Sequence, residues 1–121
     1  MFLTYAAILF AIGALGGLYM AVLSFQGKSL PVPVAALHGL LGATGLVLLI
    51  VGVLAGMGGG LARYALIILV VAALGGFYLL SFHIKKQRHP KAVIVIHALV
   101  AVTGFLTLLT AILQASSSAT S

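Results

Sequence analysis

Polar positions along this chain fall into narrow bands, separated by four long uncharged stretches. The stretches cover about residues 3–25, 34–55, 64–82 and 92–113. Each is close to the ~20 apolar residues that cross a ~30 Å hydrocarbon core as an α-helix. None alternates polar with apolar residues, all are too long for membrane strands, and four strands cannot close a barrel. The pattern predicts an all-α membrane protein with four transmembrane helices in an up-down-up-down bundle. Residues 1–115 form its single domain, and the small polar tail 116–121 is expected to fray. Composition strengthens this reading: 64% of the chain is hydrophobic, and it contains no Asp or Glu. The start, Met1-Phe2-Leu3-Thr4, has no basic segment and leads into no polar domain, which argues against a cleaved signal peptide. With no cysteine, disulfides, iron–sulfur clusters and thiolate metal sites are excluded.

The four stretches are two copies of one pair. Shifted by 59 residues, the spacing from His38 to His97, the halves align without a gap. Ala14-Leu15-Gly16-Gly17 falls on Ala73-Leu74-Gly75-Gly76, Tyr5 on Tyr64, and Tyr19 on Tyr78. Pro31 falls on Pro90, and Thr44-Gly45 on Thr103-Gly104. The repeats are about 1–59 and 60–115. Two spans per repeat give both halves one orientation, so their pseudo-two-fold axis runs along the membrane normal. The connections, about 26–33, 56–63 and 83–91, are short, which makes sequential helices antiparallel neighbours. The second and fourth helices then form a diagonal of the bundle, with His38 and His97 at equal depth across the axis.

Charge orients the bundle. Lys28 lies in the first connection and Lys85, Lys86, Arg88 and Lys91 lie in the third, with only Arg63 in the second. The positive-inside rule places the first and third connections in the cytoplasm and both termini outside. A bacterial inner membrane is the expected location.

Pro31 and Pro90 mark the entries to the second and fourth helices, since proline suits a first helical turn. Each histidine follows seven residues later, roughly 10 Å deeper at 1.5 Å per residue. An ionisable side chain at such depth is costly and points to function. His38 shares its helix face with Gly42, Gly45, Gly52 and Gly56, and His97 with Ala101, Gly104, Ala111 and Ala115. Such stripes allow close helix packing; they also leave room for a flat cofactor. Taken alone they favour packing, and they would serve a homodimer as well as a monomeric bundle. Tyr5 and Tyr64 suit the interfacial belt. Tyr19 and Tyr78 fall near the histidine level, either as hydrogen-bond donors behind the histidines or bonded to a neighbouring helix. Thr44 and Thr103 project roughly 120° away from the histidines and should bond their own helix carbonyls. His83 and His89 align with Ser24 and Leu30 and are expected to be solvated.

Elimination narrows what two facing histidines can hold. A lone zinc or copper ion needs three or four protein ligands. Hard cations need carboxylates, and proton relays ordinarily combine Asp, Glu and His. Haem fits the donor set, because a porphyrin supplies four nitrogens and leaves two axial positions. Without a Cys-x-x-Cys-His motif it would be non-covalent haem b. The basic third connection, with Lys85 and Arg88, would offset the propionate charge, although topology signalling alone explains most of those cations. On His38, His97, their small-residue faces and the two-helix repeat, the chain resembles bis-histidine b-type cytochromes in membrane four-helix bundles. Many of those carry two haems on four histidines, whereas one transmembrane pair here implies one haem per chain. The resemblance implies electron transfer with quinone or a partner redox subunit, a carrier more than an enzyme.

Two alternatives stand beside haem. The histidines could bond across helices in an accessory or scaffold subunit of a larger membrane complex, or each could ligate a chlorin pigment. Absent carboxylates argue against cation-coupled transport. Beyond the lipid bilayer, no partner is readable from the pattern, and nothing points to nucleic acid.

Overall fold

The computed structural model describes residues 1–120, the last three by backbone alone. Four helices follow one another: α1 (Phe2–Phe25), α2 (Val32–Leu54), α3 (Gly59–Ile84) and α4 (Lys91–Thr120). All four are long and apolar enough to span a membrane. The first three begin and end within five residues of the stretches read from the sequence. The last runs further, because 116–120 continue α4. No glycine or proline interrupts Ala111 to Thr120, and alanine and glutamine favour the helix. Ser121 lies outside the described residues.

Packing follows the repeat. The most extensive contacts join α1 to α2 and α3 to α4, and smaller seams join α2 to α3 and α1 to α4. Neither diagonal pair approaches closely, so α2 and α4 face each other across the bundle axis.

The densest core lies toward the termini. Leu3, Ala6 and Ala7 of α1 meet Leu49 of α2, Ala62, Ala65 and Leu69 of α3, and Leu108 and Ala111 of α4. Its two fully buried large side chains, Leu49 and Leu108, are repeat counterparts. Glycines set how closely the helices approach. A Cβ on Gly45 would stand 2.8 Å from the Phe10 ring, and one on Gly104 would stand 2.7 Å from Leu69. Phe10 and Leu69 are themselves repeat counterparts, so each half drives one large side chain into one glycine notch. Gly52 receives Leu3 in the same way. These contacts show the small-residue stripes working as packing surfaces at Gly45, Gly52 and Gly104.

Helices α1 and α3 end alike. The Gly27 N–H donates to Ser24 O and that of Lys28 to Leu23 O; the Lys86 N–H donates to His83 O and that of Gln87 to Phe82 O. This is the Schellman pattern, whose first residue past the cap is left-handed. Gly27 has φ +72°, and its counterpart Lys86 has φ +56°. Pro31 sits at the N-cap of α2. Its carbonyl accepts the Ala35 N–H, as that of Pro90 accepts the Ile94 N–H.

Candidate functional site

His38 and His97 lie about two turns inside α2 and α4, from the ends that adjoin the 26–31 and 85–90 connections. Their rings approach across the axis, with centroids 6.3 Å apart and planes crossing at 78°. Both side chains are half-buried. On this side of the bundle, Ile94 is the only large apolar side chain among the described residues that is buried. The imidazoles occupy interior that leucines fill at the other end.

One nitrogen of each ring is already committed. His38 Nδ1 lies 2.7 Å from Gly13 O, and His97 Nδ1 lies 2.8 Å from Ala72 O. A carbonyl oxygen can only accept, so Nδ1 carries the proton in both rings. Each bond joins the helices of one repeat, and each reaches back 25 residues. In the neutral ring Nε2 is left with a lone pair, and among the described residues no hydrogen bond reaches it. A backbone carbonyl on Nδ1–H is how proteins fix the tautomer and orientation of an imidazole whose Nε2 ligates a metal.

The rings rest on paired glycines. A Cβ on Gly17 would stand 2.9 Å from His38 Cε1, and one on Gly76 would stand 3.2 Å from His97 Cε1. Gly16 and Gly75 flank these seats, with His38 Cβ 3.8 Å and His97 Nδ1 3.5 Å from where their own Cβ would be. In the sequence these pairs register the repeat, and Gly17 and Gly76 also pair with Gly13 and Ala72 as small residues four apart, open to close packing or to a flat cofactor. Their place 21 residues before each histidine was the available signal, but spacing does not tell which face meets which ring.

The remaining candidates separate. Gly42 follows His38 by one turn, and a Cβ there would meet nothing within 4 Å. Its counterpart Ala101 is half-buried. Gly42 fits the open-cleft reading of the stripe, whereas Gly45 and Gly104 are filled by Phe10 and Leu69. Tyr19 and Tyr78 are 52% and 54% exposed on the outer surface. Each follows its seat glycine by two residues, about 200° around the helix, so the donors-behind-histidine expectation fails. Backbone carbonyls hold the rings instead. Lys85 and Arg88 are exposed at the same end of the bundle and touch neither ring. Thr44 and Thr103 donate to Leu40 O and Leu99 O, both at 2.8 Å, as their spacing implies.

His83 and His89 are half-buried rather than solvated, because the turn folds His89 back over the end of α3. Their rings stand 6.0 Å apart, with Phe82 6.5 Å from His89. Burial, and then the neighbouring His83, hold His89 below the ordinary histidine range.

Among the described residues, no third His, Cys, Asp or Glu joins either histidine pair. Any metal at His38 and His97 would therefore draw its other ligands from outside the protein. No protein-family model matches the chain, and neither does any curated protein or solved structure.

Proposed function

We propose that this chain is a membrane b-type haem protein that carries electrons, with one haem ligated between His38 and His97. The observation behind this reading is the matched pair of Nδ1–H bonds to Gly13 O and Ala72 O, which leaves two Nε2 lone pairs without donors. The ring separation suits it. With metal–nitrogen bonds of ~2.0–2.1 Å, two imidazoles ligating one metal from opposite sides have centroids roughly 6 Å apart; the observed value is 6.3 Å. That interval accommodates one macrocycle, which disfavours a chlorin on each histidine. The macrocycle supplies the four equatorial nitrogens and the redox chemistry; the chain supplies axial bases, their orientation and a low-dielectric site.

Lys85 and Arg88, exposed at the histidine end, would act on the propionates through their field rather than by contact. Quinone or a membrane redox subunit would then exchange electrons with the haem, close to the cytoplasmic face in a bacterial inner membrane.

A scaffold reading has its own support. Both Nδ1 bonds cross between helices and would tie α1 to α2 and α3 to α4 in a non-catalytic subunit. It gives no role to Nε2 or to the approach of the two rings. Absorption spectra of protein from a haem-supplied host distinguish the two. A Soret band that sharpens on reduction, and is lost in both His38→Ala and His97→Ala, supports haem. A colourless preparation eliminates haem, and a loss of thermal stability in both variants of that colourless protein supports the scaffold.

A further inference from the structure

The repeats agree at the histidines and part company at the ends of α1 and α3. At the position after the cap, Gly27 of the first repeat becomes Lys86 of the second. Both are left-handed, at φ +72° and +56°, and both caps make the same pair of hydrogen bonds. Glycine adopts this conformation freely, whereas a side chain there crowds the backbone. A strained residue is a pointer to function when the fold has an unstrained alternative, and the first repeat contains that alternative.

The surroundings of Lys86 say what it could serve. Lys85, Lys86, Arg88 and Lys91 stand where the first repeat has Gln26, Gly27, Ser29 and Val32. All four cations are exposed, and the chain has no Asp or Glu to pair with them. Lys91 lies over the Phe25 ring, 5.6 Å from its centroid, and among the described residues the other three ammonium and guanidinium groups have no partner. Immediately before them in the chain, at the last turn of a membrane-spanning helix, Ile84 is 70% exposed. Cations next to an exposed apolar side chain match an amphiphile, which joins phosphate to acyl chain, better than a free anion. Positive-inside signalling explains charge at this end. It does not explain a lysine at the one position where lysine is strained.

We propose that the connection after α3 is a binding site for the phosphate of an anionic phospholipid, formed by Lys85, Lys86 and Arg88. The full chain is reconstituted in phosphatidylcholine vesicles, and spin-labelled phosphatidylglycerol and phosphatidylcholine are compared by the fraction each shows motionally restricted at the protein. The wild type should prefer phosphatidylglycerol. Lys86→Gly should lower that preference roughly fivefold, as expected for loss of one cation at the membrane surface. It should also unfold at a higher temperature than the wild type, because it relieves the turn. Lys28→Gln removes one charge from the same end outside the site and should change the preference much less. Equal restriction of the two lipids by the wild type would overturn the proposal. So would an undiminished preference in Lys86→Gly, or an equal loss in Lys28→Gln, which would mean a diffuse field instead of a site. The outcome does not depend on whether haem is bound.

Discussion

His38 and His97 face each other across the bundle axis, ring centroids 6.3 Å apart and planes crossing at 78°. The crossing follows from the repeat. Each ring is pinned in the same way to its own repeat's first helix, His38 to Gly13 O and His97 to Ala72 O. The mutual orientation of the imidazoles is thus set by two backbone carbonyls and two glycine seats.

The seats should be intolerant of a methyl group, and unequally so. Overpacking of this kind costs about 1–3 kcal/mol. Gly17→Ala, where the Cβ would come within 2.9 Å of His38, should lower thermal stability and haem content more than Gly76→Ala, where the distance is 3.2 Å. Indifference at Gly17 would show that His38 does not rest there in the folded protein.

The glycine stripe of α2 should respond position by position. Gly45→Ala meets the Phe10 ring at 2.8 Å and should be destabilising by about 1–3 kcal/mol. Gly42→Ala meets nothing within 4 Å. It should gain up to about 1 kcal/mol from helix propensity in haem-free protein. Unfolding in mixed micelles, compared across the two variants and the wild type, reads the difference. Equal effects would mean the stripe is uniformly packed.

These contrasts show what the sequence could and could not reveal. Four spans, the two-helix repeat and the diagonal placement of His38 and His97 all follow from spacing and connection length. The opposite fates of Gly42 and Gly45 do not, because they depend on where Phe10 of another helix points. The carbonyl partners were hidden for a different reason: a backbone acceptor leaves no trace in residue identity. The outward direction of Tyr19 and Tyr78 was hidden as well: each lies two positions after its seat glycine, but nothing in the sequence identified those glycines as seats.

His89 should titrate below the ordinary histidine range, mainly through burial and secondarily through His83. A depressed folded-state value favours the neutral ring. Its stabilising contribution is therefore present above the unfolded histidine pKa of ~6.5 and is lost as pH falls through the lower folded value. NMR titration of the ring protons checks this. His83→Gln should move His89 part of the way back up, and an unchanged titration would remove His83 as a cause.

The most direct test of the haem site is low-temperature electron paramagnetic resonance of the oxidised protein, purified from a haem-supplied host. It reads both axial ligands and the angle between them. One haem between His38 and His97, with imidazole planes held near the observed 78°, should give a low-spin ferric signal of the highly anisotropic kind produced by nearly perpendicular imidazoles. A high-spin signal would mean that only one histidine ligates. The absence of any haem signal would contradict the site altogether.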